Sequence, residues 1–301
     1  MRIATWNVNS LKARMEKVEW WLERAQPDVI LLQETKLTDE DAPALPFRMH
    51  GYDLVHHGEG RWNGVAIASR LPFEGAVVTN FGDGPVRDSG PGSVVSLEEE
   101  DFNPLDEARM VGASAGGIRF VSLYAPNGRV VDSPFYAGKL AWYDRLARWV
   151  AEHVRPDEPV VIGGDFNIAP TDADVWDARA VHGGTHVSAA ERAAFQHLLD
   201  GGLVDAYRAL RSEPGRFTWW DYRAGNFQKN FGMRIDHVFL TEALAGRAVA
   251  AERDRDARKP STYPGIPSDH APLIIDLDAP GFPLDAGWSS AEARIAARTT
   301  R

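Results

Sequence analysis

Five fragments of this chain carry side chains that could do chemistry, and each sits at or beside an apolar run. Asn7 follows Ile3-Ala4-Thr5-Trp6, and Glu34 follows Val29-Ile30-Leu31-Leu32-Gln33. A carboxylate in such a place is costly if it is buried and unpaired. It suits a hard-cation ligand, since such ions take oxygen donors and keep several waters beside one or two carboxylates. The plain alternative, a carboxylate ending a strand in water, suffices for Glu34 alone. In Gly163-Gly164-Asp165-Phe166-Asn167, Asp165 and Asn167 share one face of an extended chain. Glycines there let a substrate backbone come close. A carboxylate paired with an amide suits phosphate chemistry, one group managing a proton or water and the other donating to a phosphoryl oxygen. An Asx-type turn would also explain the pair. Ser268-Asp269-His270 adds an imidazole, and Asp236, within Arg234-Ile235-Asp236-His237, is a second carboxylate that could orient it. A lone Asp-His pair is more often structural, so no fragment is decisive singly.

The elements that must position these groups are short β-rich runs broken by turn residues. The pattern predicts strands at 2–8, 29–33, 53–57, 64–68, 110–114, 118–124, 159–163, 235–240 and 272–277, and helices at 11–24, 136–153 and 189–200. No regular helix follows each strand, which favours a mixed, sandwich-like α/β protein over a doubly wound parallel sheet. The stretch 81–107 is rich in Gly, Pro and acids and reads as a long surface loop. A second long connection, 171–190, contains His182 and His186, and a tail at 279–301 has the pattern of a short helix near 291–298. Nothing resembles a linker, so one domain is expected.

With 44% hydrophobic and 25% charged residues, the composition is that of a globular protein. No signal-peptide pattern opens the chain and no apolar stretch approaches the ~20 residues of a membrane span, so a soluble, cytoplasmic protein is expected. The absence of cysteine excludes disulfides, thiolate zinc sites and cysteine nucleophiles. Any metal must sit on oxygen or imidazole. The formal charge of −10 opposes bulk attraction to nucleic acid, but the charge is unevenly placed. Residues 83–107 hold eight acids against Arg87, a net of −7, whereas 208–259 holds eleven Lys and Arg against seven Asp and Glu, a net of +4. Trp219, Trp220, Tyr222 and Phe227 lie within that basic segment, a combination that suits a nucleic-acid surface as well as a solvated face over ordinary core aromatics.

Taken together, the fragments match one family. Thr5-Trp6-Asn7-Val8-Asn9, Leu32-Gln33-Glu34-Thr35-Lys36, Tyr124-Ala125-Pro126-Asn127, Gly164-Asp165-Phe166-Asn167-Ile168, Arg234-Ile235-Asp236 and Ser268-Asp269-His270-Ala271-Pro272 resemble, in order, the motifs of exonuclease III and its abasic endonuclease relatives. Six motifs in one order are specific where one would be weak. The resemblance spans about residues 1–277. It implies a DNase-I-like four-layered sandwich of class α/β (α+β), with one endonuclease/exonuclease/phosphatase domain at 1–278. The implied activity is a magnesium-dependent phosphodiesterase of DNA repair, with Mn2+ able to substitute. It would cut 5′ to abasic sites and trim 3′ ends of double-stranded DNA, as a monomer used at the nucleoid.

Residue by residue, the resemblance assigns Asn7, Glu34 and Asp269 to the metal environment and Tyr124, Asp165 and Asn167 to the attacked phosphate. It pairs His270 with Asp236, and leaves open whether His270 activates water or Asp165 does while His270 holds the phosphoryl group. The number of metals is equally open. Phe217-Thr218-Trp219-Trp220-Asp221-Tyr222-Arg223 also looks like the family, with Trp219 and Met233 as walls of a pocket for an extruded abasic sugar. Arg61 and Asn63, with Asn127, fall in loops similar to those touching DNA. The 81–107 stretch is longer than in shorter members, and the loop around His182 and His186 lies where relatives differ in handling DNA ends. Two other readings share the fold, a phosphodiesterase of another phosphate ester and a non-catalytic nucleic-acid-binding regulator. The regulator predicts missing catalytic groups, and all eight are present.

Overall fold

In the computed structural model, residues 1–81, 103–259 and 264–279 are described. Most of the acidic 81–107 stretch and the tail beyond 279, with its expected short helix, lie outside the described residues.

The strands are β1 (Arg2–Asn7), β2 (Val29–Gln33), β3 (Asp53–His57), β4 (Val65–Ser69), β5 (Phe73–Thr79), β6 (Met110–Ala115), β7 (Ile118–Tyr124), β8 (Val160–Asp165), β9 (Leu203–Asp205), β10 (Asp236–Thr241), β11 (Ala248–Arg253) and β12 (Leu273–Leu277). They form two six-stranded sheets, ordered β11-β12-β1-β2-β4-β3 and β5-β6-β7-β8-β10-β9. Each sheet has one parallel pair near its middle, β1 with β2 and β7 with β8, among otherwise antiparallel neighbours. The helices are α1 (Leu11–Ala25), α2 (Ala44–Met49), α3 (Pro134–His153), α4 (Ala189–Asp200) and the short α5 (Ala206–Leu210), α6 (Asn226–Lys229) and α7 (Glu242–Ala245).

Strand alternation sorts the side chains into layers. Ile3, Leu31, Ile67, Phe120, Val161 and Val238 meet between the sheets. On the opposite face of the first sheet, Ala4, Trp6 and Ile30 pack on Val18, Trp21 and Leu22 of α1. On the outside of the second, Val121, Ile162 and Phe239 pack on Trp142 and Leu146 of α3 and Phe195 of α4. The result is helix, sheet, sheet, helix, the expected four-layered DNase-I-like sandwich. Trp6 and Trp21 are fully buried with ring centroids 5.6 Å apart, so truncating either to Ala should cost about 3–5 kcal/mol.

Helix ends follow local chemistry. Ser133 caps α3, with Pro134 at its first turn, and Ser188 and Glu191 form a reciprocal capping box on α4. Gln26 ends α1 in the left-handed conformation. Three strands were not apparent from the sequence. β5 is an exposed edge containing Gly75 and a register irregularity, β9 has three residues, and β11 reads Ala-Val-Ala-Ala-Glu-Arg, too small and polar to announce a strand. No helix among the described residues is long and apolar enough to cross a membrane.

Candidate active site

The alternation that builds the core also aims the polar strand ends. Val161 of β8 and Val238 of β10 face the opposing sheet, so Asp165 and Asp236, at even spacing from them, point into the same space. Register then sets them in a row, because Asp165 pairs with Tyr124 of β7 on one side and with Asp236 on the other. Asn7, the last residue of β1, reaches across from the other sheet and donates from Nδ2 to Asp165 Oδ2 at 2.9 Å and to Glu34 Oε1 at 2.8 Å. Beneath them Gln33 donates to Ser122 at 3.0 Å, so a polar layer links the sheets under the site. Glu34 itself lies just past β2 in the left-handed region at φ 51°, a conformation fixed by the bonds Lys36 N to Asn63 O and Thr35 N to Gly64 O.

His270 precedes β12 and is held from three sides. Trp6 donates to its carbonyl at 3.1 Å, its own N–H donates to Ser268 at 3.2 Å, and its Nδ1 lies 2.9 Å from Asp236 Oδ2. A carboxylate only accepts, so Nδ1 carries a hydrogen and Nε2 is the atom presented to the cleft. Nε2 stands 3.8 Å from Asp165 Oδ2. Burial opposes a charged imidazole, but Asp236 and Asp165 outweigh it and push His270 up to about 10. Burial likewise pushes Asp165 up to about 7, against the pull of the His270 charge. Tyr124 is held well above its ordinary value by burial and by the nearby Glu34 carboxylate, so its phenol stays a donor.

The remaining expected residues fall around this centre. Asn167 sits at φ 51°, its N–H donates to Asp165 Oδ1 at 2.9 Å, and its side chain accepts from Asn127 Nδ2 at 3.2 Å. Asp269 accepts from Asn9 at 3.0 Å and from the Trp219 indole at 3.0 Å. Trp219 bridges in backbone pairing to both Met233 and His270, and packs with Met233, Val175 and Val187 in a small apolar cluster. Arg61 and Asn63 part company. Arg61 stacks on the exposed Trp62, whereas Asn63 is buried, donates to Glu59 at 3.0 Å and supports the Glu34 turn through its carbonyl.

Several participants were not singled out in the sequence. Lys36 pairs with Glu34 at 2.9 Å and donates to Asn9 at 2.7 Å, and Asn9 in turn holds Asp269. Both lie inside the motifs around Asn7 and Glu34, which is the signal that the sequence offers for them. Lys139 and Glu191, which meet behind the two asparagines, gave none, since a lysine on an amphipathic helix and a glutamate in a capping box read as surface groups.

Asp165, Asp236 and His270 form a buried cluster whose ligand-type atoms lie within 4.8 Å of one another, a group that could hold a metal ion. Asp236 Oδ1 is buried with no hydrogen-bond partner, an acceptor to which a cation or water is suited. An imidazolium is no ligand, so with His270 protonated and bonded to Asp236 the donor set that fits a hard divalent cation is the carboxylate and amide oxygens of Glu34, Asn7 and Asp269, and the chain offers no thiolate for a softer one.

The profile of the Endonuclease/Exonuclease/phosphatase family matches residues 4–270. Exodeoxyribonuclease III of Haemophilus influenzae is 32% identical over 286 residues, covering 92% of this chain and all of its own. A 3′ phosphatase, NExo, from Neisseria, solved with a product DNA hairpin, superposes with a TM-score of 0.81 at 35% identity, over 93% of this chain and all of its own. An AP endonuclease from Archaeoglobus fulgidus superposes with a TM-score of 0.81 at 31% identity, over the same shares.

Proposed function

The chain belongs to the endonuclease/exonuclease/phosphatase family, and we propose that it is a metal-dependent DNA-repair phosphodiesterase that cuts 5′ to abasic sites and removes nucleotides or blocking groups from 3′ ends. The observation that carries the reading is the Asp236–His270 pair facing Asp165 across 3.8 Å, in line with relatives that act on DNA. The substrate is double-stranded DNA, and the enzyme acts as a monomer in the cytoplasm.

Asp165, raised toward neutrality by burial, accepts the proton of the water whose oxygen bonds to phosphorus, the P–O3′ bond breaks and the departing 3′-oxygen takes a proton from solvent, while His270, kept protonated by Asp236, hydrogen-bonds from Nε2 to a non-bridging phosphoryl oxygen. This favours Asp165 over His270 as the base. The Asn127 amide and the Tyr124 phenol supply further donors around the phosphate, while Asn167 fixes Asp165 through its backbone N–H. Glu34 and Asp269, with Asn7 ordering Glu34, would hold Mg2+ or Mn2+. When bound, the ion supplies Lewis-acid stabilisation of charge on the phosphate. Trp219 and Met233 form an apolar wall that suits an abasic sugar, which has no base to unstack.

The test is cleavage of a duplex with one abasic analogue and of a duplex with a 3′-phosphate, each with Mg2+, with Mn2+ and with excess chelator. Metal-dependent products on either are expected. Full activity in chelator would overturn the metal assignment, and no product from either duplex under any condition would overturn the function.

A further inference from the structure

A buried ammonium is expensive unless every N–H is used, and Lys139 of α3 is fully buried, as is Glu191 of α4. Lys139 Nζ donates to Glu191 Oε1 at 2.5 Å, to the Asn167 carbonyl at 2.7 Å and to the Asn127 carbonyl at 3.3 Å, which engages all three of its hydrogens. Glu191 is equally saturated. Its Oε1 also accepts from His186 N at 2.9 Å and lies 3.1 Å from the Thr185 hydroxyl, while Oε2 takes the Ser188 N–H and hydroxyl at 3.0 and 2.7 Å.

The destination of these bonds is what gives the pair a role. β7 ends at Tyr124 and β8 at Asp165, so neither asparagine carbonyl is held by a sheet ladder. Lys139 and Thr185 meet at the Asn127 carbonyl, and Lys139 and His186 Nδ1 meet at the Asn167 carbonyl. Asn167 sits at a positive φ of 51°, a conformation that asparagine tolerates but does not impose, so the bonds to its carbonyl fix it. Gly128, also at positive φ, lets the Asn127 turn lie on the lysine stem, where a Cβ would meet Lys139 Cδ at 2.9 Å. A well-packed apolar pair could fill the same space without the desolvation cost. The charges therefore need a purpose beyond filling it.

We propose that the Lys139–Glu191 pair is a positioning element that clamps the backbones of Asn127 and Asn167 and so aims one asparagine at the reacting phosphate and the other at Asp165. The proposal rests on the phosphodiesterase reading. Neither residue touches substrate; both act through the asparagines.

The experiment uses the full chain on the abasic-analogue duplex with Mg2+. Replacing Lys139 alone leaves a buried carboxylate unpaired, so the informative variant is the neutral double Lys139→Met/Glu191→Gln. Its kcat should fall about 100-fold while KM stays within about threefold, at a temperature where circular dichroism shows both proteins folded. Because the double variant tests packing as well, Thr185→Val provides a milder second arm. It removes one hydroxyl near Asn127 and Glu191, and should lower kcat about fivefold while the thermal midpoint falls by only about 2–4 °C. If the double variant folds, wild-type kcat in it overturns the proposal; if it does not fold, wild-type kcat in Thr185→Val does so. A wild-type protein that cleaves neither DNA substrate would instead count against the phosphodiesterase reading itself.

Discussion

Neutralising Asp236 separates two accounts of His270. In Asp236→Asn the side chain keeps its size, but the anion 2.9 Å from Nδ1 is gone. At an effective dielectric of about 20, a charge pair at that distance is worth about 6 kcal/mol before desolvation, and removing one buried partner typically costs about 3–5 kcal/mol net. The imidazole should then titrate well below about 10, with its ordinary 6.5 as the limiting case because Asp165 still faces it. At pH 8 a group of pKa 10 is almost wholly protonated, whereas one of pKa 6.5 is about 3% protonated, a loss of about 30-fold from charge alone. At pH 6 the same limiting group is still about three-quarters protonated. If the reaction needs the imidazolium, the ratio of wild-type to variant rate should grow by up to about 25-fold between pH 6 and pH 8, on top of a constant loss from disturbed orientation. Single-turnover cleavage of a fluorescent abasic-analogue duplex at saturating metal, run at half-unit pH steps, measures that ratio. A variant rate that holds or rises above pH 7, instead of falling, would mean the neutral ring is the reacting form, making His270 the base and refuting the assignment of that role to Asp165; a flat ratio of wild-type to variant rate would show that the imidazole charge does not matter.

Two further outcomes follow from the same contacts. Glu34→Ala should raise the metal concentration for half-maximal rate by at least about tenfold with an unchanged circular dichroism spectrum, and loss of the folded spectrum would make Glu34 a structural residue instead. Buried Asp174 feels desolvation, but Arg234 and Arg208 outweigh it and lower it from 3.8 to about 2. The lowered value means a stabilisation of about 2 kcal/mol that is complete above the unfolded value and is lost as pH falls from about 4 through 2. Urea unfolding should therefore show the stability gap between wild type and Asp174→Asn narrowing below pH 4, and a constant gap would rule this linkage out.

How far the sequence could be read depended on whether a residue's role was local. The apolar runs of β1, β2 and β8 announce themselves, and the polar residues at their ends stand out because such runs rarely stop on a carboxylate or amide that the core cannot absorb. Those same end positions converge in the candidate site, which is why Asn7, Glu34 and Asp165 stand out in the sequence. The contact between Asp236 and His270 depends on how a β10 end meets the turn before β12, and it was accessible through resemblance rather than spacing. Asn63 shows the limit of transferring a role by loop. The residue lies in the segment expected to touch DNA, yet its side chain turns inward to Glu59 and its carbonyl holds the Glu34 turn. Lys139 and Glu191 show a second limit. Each satisfies its local pattern as a surface residue of a helix, and only the packing of α3 on α4 removes both from water and directs the lysine at two carbonyls from different loops. Local pattern thus marks the polar groups that converge in the candidate site, because reactivity demands particular residue types at the ends of apolar strands. The groups that hold them can come from any element the tertiary fold brings near, and their residue types need only satisfy one another.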